Sequence, residues 1–395
     1  MSQKVCSVLL LILVQSMVLS LWFISSAILA DLNREHEISA FAQAALASAV
    51  QAGFVLGALV VAITGVADRL DPRLVLGGSA IAAAGMNAGL LVAEPGGVVA
   101  IALRLVTGVL MAGVYPVGMK LAVGWGVKDR GFLVGLLVGG LTIGSASSHL
   151  VAFFGGADWR TTVSIASLLA GAGGLLMVFV RLGPHHRAAA GFNSGVLNLV
   201  WRDRKIRAAY CGYFGHMFEL YAMWAWLGVA LTAAFADKID EAGQWARLVT
   251  FVAIAAGGLA SAIAGWVADR IGKAELAIVA MALSGLSAIA FGCCYDGPVW
   301  LLSLVAVFWG LAIVPDSAQF SALIADFSPP DQAGSVMTLQ TALGFALTIL
   351  TVQVTPVVAG YCGWPIVMAG LAVGPAFGIV AMWKLRSKND ESASG

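Results

Sequence analysis

The residues best suited to proton chemistry lie in one apolar segment of the chain, where an imidazole and a carboxyl group are three positions apart. His216 and Glu219 occur in the sequence GHMFELY at positions 215–221. On a helix, this spacing places both side chains on one face. An apolar environment and a nearby cation shift the protonation of a carboxyl group in opposite directions, so we expect Glu219 to load and release a proton. The alternative is a glutamate that only hydrogen-bonds neighbouring helices.

Two more ionisable residues interrupt apolar segments. Arg104 opens the sequence RLVTG, and Tyr115 lies eleven positions later on the same helical face. An arginine in hydrocarbon is costly, so its side chain is expected to face protein or water. Anion binding, proton coupling and bonding to backbone carbonyls all stay open for it. Asp316, which follows Pro315, is a second candidate for proton coupling or cation contact, with pairing at a gate as the alternative.

Three further polar or aromatic residues share these faces. Gln15 and Trp22 lie on one face of the first apolar segment, and Trp226 lies on the face of His216 and Glu219. The predicted binding or proton-coupling residues are therefore Gln15, Trp22, Arg104, Tyr115, His216, Glu219, Trp226 and Asp316.

No catalytic or metal site is predicted. The five cysteines lie in or beside apolar segments without metal-ligand spacing, and the histidines are too dispersed for an intramembrane enzyme. No phosphate-binding loop of the Gly-x-x-x-x-Gly-Lys-Ser/Thr kind occurs, and the basic residues form no nucleic-acid signature. We therefore expect no cofactor, no nucleic-acid partner and no enzymatic activity.

Long apolar helices must position these side chains. Hydrophobic residues make up 60% of the 395 residues and charged residues 11%, against roughly 25% charged residues in a soluble domain. A run of about 20 apolar residues crosses a hydrocarbon core of roughly 30 Å as a helix. The sequence predicts an all-α polytopic protein of the lipid bilayer, with the first run retained as a span. The twelve runs lie near 5–30, 41–67, 74–93, 98–122, 131–155, 161–182, 206–235, 244–269, 274–295, 298–324, 333–360 and 363–386.

The basic residues are distributed unevenly about these runs. Most of the 22 Lys and Arg residues fall on the side of the chain ends. By the positive-inside rule both termini are expected in the cytoplasm, and a bacterial inner membrane is the predicted location. The opposite side holds Arg34, Arg160, Lys238 and Arg247.

A short string that occurs twice indicates a duplicated unit. Residues 66–70 read VADRL and residues 267–271 read VADRI, 201 positions later. We predict two six-helix bundles related by a pseudo-twofold axis along the membrane normal. The predicted units are residues 1–182, a cytoplasmic linker at 183–205 with an amphipathic segment at the membrane surface, and residues 206–395.

The repeated loops resemble the signature of the major facilitator superfamily, and the resemblance extends over essentially the whole chain. The family's loop between spans two and three has the form Gly-x-x-x-Asp-Arg-x-Gly-Arg/Lys-Arg/Lys and recurs more loosely between spans eight and nine. The second copy matches at Gly265, Asp269, Arg270, Gly272 and Lys273. The first copy keeps Asp68, Arg69 and Arg73 but has Thr64, Asp71 and Pro72 where the family has Gly, Gly and a base. The RLVTG segment is similar to the family's Arg-x-x-x-Gly motif of span four.

The resemblance implies a latch at the inner face. In the family, the loop carboxylate faces a helix N-terminus and nearby arginines in the outward-open state, a contact worth roughly 0.3 to 2 kcal/mol, and breaking it lets the halves rock. Solvated turn charges that only set topology are the alternative. The residues assigned to the latch are Asp68, Arg69, Arg73 and Arg130 in the first copy and Gly265, Asp269, Arg270 and Lys273 in the second.

The resemblance also implies a monomeric secondary active transporter whose cavity is lined by spans one, four, seven and ten. We expect a small polar solute to move by alternating access, coupled to protons through Glu219 with His216 or Asp316. Arg104 and His216 favour a small organic or inorganic anion. Two alternatives stay open: efflux of drugs or metabolites, given the aromatic and Met content, and a non-transporting solute receptor, for which a sizeable cytoplasmic extension is expected.

Overall fold

Helices are the only regular secondary structure in the part of the chain that the structure describes. The computed structural model of the protein describes residues 3–126, 130–156, 158–186, 196–329 and 332–393, without the side chains of residues 67, 68, 130, 131, 197, 198 and 386–393. The helices are α1 (Gln3–Leu19), α2 (Ile24–Glu35), α3 (Ala40–Thr64), α4 (Val66–Arg69), α5 (Pro72–Ala88), α6 (Val98–Met111), α7 (Tyr115–Val123), α8 (Arg130–Phe154), α9 (Trp159–Leu176), α10 (Val196–Arg202), α11 (Arg204–Phe235), α12 (Ala242–Ile271), α13 (Lys273–Cys293), α14 (Val299–Ile313), α15 (Ser317–Phe327), α16 (Ala333–Cys362), α17 (Trp364–Gly370) and α18 (Val373–Ala393).

Within the described residues, twelve spans are long and apolar enough to cross a membrane, which confirms the prediction from run length. Spans 1, 4, 10 and 12 each consist of two helices: α1 with α2, α6 with α7, α14 with α15, and α17 with α18. The other eight are α3, α5, α8, α9, α11, α12, α13 and α16. Because the number of spans is even, span 1 begins and span 12 ends on the same side of the bundle. We call this side the terminal face and the opposite side the distal face.

The spans pack as two groups of six. Spans 1–6 contact mainly one another, and so do spans 7–12. The groups meet chiefly along spans 5 and 8 and along spans 2 and 11. At the first of these contacts, a Cβ atom built on Gly139 or Gly258 would lie 3.1–3.2 Å from the other residue's carbonyl oxygen. Small residues permit such close helix contacts in a membrane.

Close glycine contacts between two spans also occur within each group. A Cβ atom on Gly53 of span 2 or Gly108 of span 4 would collide with the backbone of the facing span. Gly257 of span 8 and Gly310 of span 10 make the equivalent contacts. Two pairs of spans at corresponding positions therefore pack backbone to backbone, as a duplicated unit requires.

We expect Gly108→Ala to destabilise the protein. The added methyl group would meet the Val50 carbonyl oxygen, and because backbone cannot rotate away, overpacking of this kind costs about 1–3 kcal/mol. The melting temperature in detergent would fall. Gly78→Ala is the matched control, since a Cβ atom there meets nothing within 4 Å. Equal melting temperatures for the two variants would show that the close contact does not constrain the fold.

Candidate functional site

Three broken spans supply the polar centre of the molecule. In span 1 the break comprises residues 20–23, between α1 and α2. Ser148 of span 5 donates a hydrogen bond to the Ser20 carbonyl oxygen at 2.6 Å, and Arg104 of span 4 donates one to the Trp22 carbonyl oxygen at 2.7 Å. These donors satisfy carbonyl groups that the interrupted helix leaves free, as a break inside a membrane requires.

Arg104 lies wholly inside the first group of spans, and its side chain is fully buried. Besides the Trp22 carbonyl, its guanidinium contacts the Asn87 side-chain oxygen at 3.2 Å. Asn87 in turn donates to Ser167 Oγ at 2.9 Å. The arginine thus joins spans 1, 3 and 4 through two neutral oxygens, one of the backbone and one of a side chain.

The break in span 4 is held from span 1. Residues 112–114 separate α6 from α7, and Gln15 Nε2 lies 3.2 Å from the Tyr115 carbonyl oxygen and 3.4 Å from that of Val114. Gln15 and Tyr115 are therefore brought together, but through the backbone of Tyr115 rather than its phenol.

The break in span 10 is held from span 7. His216 Nδ1 lies 2.9 Å from Asp316 Oδ1, and its Nε2 lies 2.7 Å from Ser317 Oγ. Both the histidine and the aspartate are 1% exposed. The imidazole and the carboxyl group are within ion-pair distance, although the ring N–H is not aligned on the oxygen. Protonation of the imidazole would make this a buried ion pair.

These two contacts occupy corresponding places in the repeat. Gln15 and His216 are 201 positions apart, and so are Tyr115 and Asp316. The offset is that of the duplicated VADR strings. The same position therefore holds a neutral amide in one group of spans and a titratable imidazole in the other.

Glu219 lies between spans 7, 9 and 10. Its carboxyl oxygens accept hydrogen bonds from Trp309 Nε1 and Ser284 Oγ, both at 2.8 Å, and it is 1% exposed. Among the described residues no cation pairs with it. Glu219 and His216 share a face as predicted from their spacing, and each reaches a residue of span 10.

Aromatic side chains fill the centre between the two groups of spans. Rings of span 1, 2, 7 and 11 residues lie 4.5–6.1 Å apart, centroid to centroid. The cluster consists of Trp22, Phe23, Phe54, Tyr221, Trp224 and Phe345. The sequence analysis did not identify Phe54 and Phe345, because their spans contain no ionisable residue inside the apolar run to draw attention to that face.

Trp226 points away from this cluster. Its indole N–H donates to the Val352 carbonyl oxygen of span 11 at 2.9 Å, and its ring lies 6.1 Å from that of Trp364. The position of Trp226 on the face of Glu219 therefore does not bring it to the centre. Tyr221 and Trp224 are the span 7 aromatics that contact rings of span 1, and Tyr221 also contacts Phe345 of span 11.

The terminal-face loops carry the residues assigned to the latch. Arg73 is bound by Asp71, with Nη2 2.6 Å from Oδ2, and this contact lowers the pKa of the Asp71 carboxyl group. Asp71, which stands where the family has glycine, thus engages the neighbouring base. Arg69 is exposed. The side chains of Asp68 and Arg130 lie outside the described residues.

The second loop makes two local contacts. Lys273 pairs with Asp326 at 2.5 Å, and the Arg270 guanidinium lies 3.3 Å from the centre of the Trp266 ring. Asp269 is exposed. A Cβ atom on Gly265 would meet nothing within 4 Å, so this glycine makes no close helix contact here.

The distal face is closed by a buried ion pair between the two groups. Arg247 of span 8 pairs with Asp31 of span 1, and the two side chains are 5% and 0% exposed. Arg247 Nη1 also donates to the carbonyl oxygens of Ala152 and Gly156, at the end of span 5. Ser48 of span 2 donates to Gln353 of span 11 at 2.9 Å. Neither Asp31 nor Ser48 was predicted as a site residue, since only the fold brings them to their partners.

The described residues contain no group of three or more His, Cys, Asp and Glu that could hold a metal ion.

Twelve spans, of which three break at polar contacts near the centre, define a polytopic membrane protein with the architecture of solute carriers. A family model described as the Major Facilitator Superfamily matches residues 10–237. The match covers more than half of the chain, and the chain belongs to this superfamily. The protein is an integral membrane protein that performs secondary transport, not an enzyme.

Solved structures share the fold at low sequence identity. A point mutant of the nucleoside transporter NupG is 16% identical over 96% of this chain and 100% of its own, with a TM-score of 0.74. The xylose transporter XylE from E. coli, in a partially occluded inward-open conformation, is 13% identical over 97% and 99%, with a TM-score of 0.74. A D-xylose-proton symporter is 13% identical over 97% of both chains, with a TM-score of 0.77. No curated protein sequence matches the chain.

Proposed function

We propose that the protein moves a small polar solute by alternating access and couples this movement to protons through Glu219, His216 and Asp316. The carrying observation is the burial of three titratable side chains of spans 7 and 10, two of which, His216 and Asp316, lie 2.9 Å apart. The breaks in spans 1, 4 and 10 support a solute site near the midplane, where discontinuous helices form such sites in transporters.

Glu219 is the proposed proton carrier. Its two hydrogen-bond donors, Trp309 and Ser284, are neutral, and burying an unpaired charge is costly. Protonation removes that cost, whereas opening of the site to water would let the proton leave. His216 and Asp316 are the proposed second proton site. If the imidazole takes up a proton, the two side chains form an ion pair.

Rocking of two bundles about the central site is the proposed motion. The bundles are residues 1–182 and 206–395, joined by a linker at 183–205. The excess of Lys and Arg at the terminal face supports a cytoplasmic location for both chain ends, in a bacterial inner membrane. With the distal face closed by Asp31 and Arg247, we infer that the solute enters or leaves this conformation from the terminal face.

The latch completes this cycle. In the opposite conformation, we propose, the loop around Asp269, Arg270 and Lys273 closes against the facing helices, and the loop around Asp68 and Arg69 does the same. The exposure of Asp269 and the open space at Gly265 are consistent with a latch that is released while the distal face is closed.

The chemical class of the solute depends on the groups left free at the centre. An anion was predicted from Arg104 and His216, and the guanidinium is bonded to the Trp22 and Asn87 oxygens. Because these oxygens occupy the Arg104 guanidinium, the prediction of an anionic solute depends on His216 alone. Xylose and nucleosides belong in any test, because the fold matches carriers of these solutes.

Efflux of amphipathic aromatic compounds is the second candidate. The six-ring cluster around Trp22, Tyr221 and Phe345 favours it, because aromatic faces bind flat apolar molecules and organic cations.

Uptake into proteoliposomes tests the proposal. The panel contains small carboxylates, inorganic anions, xylose, a nucleoside and cationic dyes, each with and without an imposed proton gradient. We expect at least one solute to accumulate against its gradient, and a protonophore to abolish the accumulation. Accumulation of dyes alone would support the efflux candidate. A solute that binds but never crosses would identify a receptor and refute transport, and uptake indifferent to the proton gradient would refute coupling.

A further inference from the structure

A groove between spans 7 and 12 opens at the terminal face, apart from the central site. It encloses about 440 Å³. Toward the midplane, Gly215 and Gly374 bring the two helices into backbone contact. The groove therefore runs from the membrane surface to the point where the helices touch.

The surface end of the groove is basic. Arg204, Lys205 and Arg207 at the start of span 7 and Lys384 near the end of span 12 line it, and no carboxylate is among the described lining residues. Arg207 donates one hydrogen bond to the Trp201 carbonyl oxygen at 2.5 Å. In the described parts of the chain, none of these four bases forms an ion pair with a carboxylate. Lys205 Nζ also lies 5.6 Å from the centre of the Phe327 ring. Within the described residues, the four cationic side chains thus keep most of their hydrogen-bond donors for an anion.

The deep end of the groove is apolar. Ala208 and Cys211 line it from span 7, and Phe377, Val380 and Ala381 line it from span 12. Phe377 and Val380 are each 55% exposed, so the floor faces the lipid side of the bundle. From Arg204 to Cys211 the helix rises about 10 Å, which separates the charged end from the apolar floor by the depth of a headgroup region.

We propose that this groove binds one anionic phospholipid of the leaflet at the terminal face. The phosphate lies among the four bases, where charge-assisted hydrogen bonds form, and an acyl chain lies along Phe377, Val380 and Ala381. Basic pockets between spans recognise anionic headgroups in this way. The exposed indole of Trp201, in α10 beside span 7, suits the same membrane interface. A free phosphate ion would meet the bases but leave the apolar floor uncovered.

Native mass spectrometry of the full chain, released from nanodiscs, tests the site. With phosphatidylglycerol and phosphatidylcholine mixed in equal amounts, we expect one retained phosphatidylglycerol per protein. Each removed base should weaken retention about fivefold, so Arg204→Gln with Lys384→Gln should weaken it about 25-fold. Ala381→Leu, which fills the apolar floor and leaves every charge in place, should also reduce retention. Inorganic phosphate at millimolar concentration should not displace the lipid.

Arg181→Gln is the matched control for Arg204→Gln alone, because Arg181 is exposed at the same face but outside the groove. We expect this control to leave lipid retention unchanged. Equal retention in Arg204→Gln and the control, equal retention of phosphatidylcholine, or displacement by inorganic phosphate would each overturn the proposal. Circular dichroism and gel filtration would establish that each variant is folded.

Discussion

Glu219→Gln is expected to abolish proton-driven accumulation and to leave counterflow exchange of the solute intact. The amide cannot carry a proton, but it can keep the local bonds: its oxygen accepts from Trp309 Nε1, and its NH₂ group can donate to Ser284 Oγ. Ser284 Oγ also lies 3.2 Å from the Met281 carbonyl oxygen, so its own hydrogen retains a partner. A gradient of one pH unit is worth about 1.4 kcal/mol per proton. Proteoliposomes with the unchanged protein should therefore reach up to about tenfold accumulation, and the variant none.

Glu37→Gln is the control for this experiment, since Glu37 is exposed at the distal face and the substitution removes the same charge elsewhere. Its accumulation should match that of the unchanged protein. Undiminished accumulation by Glu219→Gln would show that another group carries the proton. Loss of counterflow together with accumulation would assign Glu219 to solute binding or packing.

Asp31→Asn is expected to open the distal face. The change leaves the buried Arg247 without a counter-charge: its remaining partners are the neutral amide oxygen at position 31 and the carbonyl oxygens of Ala152 and Gly156. Breaking a buried ion pair in this way costs about 3–5 kcal/mol. Because this pair joins spans 1 and 8, the cost is borne by the distally closed conformation. A cysteine placed at Ser48, 5% exposed in this conformation, should then react much faster with a membrane-impermeant maleimide, in a background without the five native cysteines.

The control is Arg160→Gln, which breaks the Glu35–Arg160 pair on the same face. Those side chains are 39% and 50% exposed, and such pairs contribute about 0–1 kcal/mol. The pair also lies within spans 1–6, so labelling at position 48 should stay at its original rate. Equal labelling in the two variants would refute the view that Asp31 and Arg247 hold the distal face shut.

The site could be predicted from the sequence only where it depends on neighbours along a helix. The spacing of His216 and Glu219 places them on one face, and Asp316 after Pro315 identifies the break in span 10. The break in span 1 could not be predicted in this way, because residues 20–23 read SLWF and contain neither proline nor glycine. That break exists because Ser148 and Arg104, from other spans, bind the freed carbonyl groups.

By itself, the sequence determined the number of spans, the all-helical fold and the superfamily, because run length, hydropathy and the repeated loop motif are local properties of the chain. The tertiary structure alone decided that Arg104 binds backbone, that Trp226 faces span 11 and that Arg247 meets Asp31, 216 positions away. The physical reason is that apolar helices can rotate and shift against one another at little cost in lipid. Close glycine contacts and a few buried polar bonds between distant residues select one arrangement.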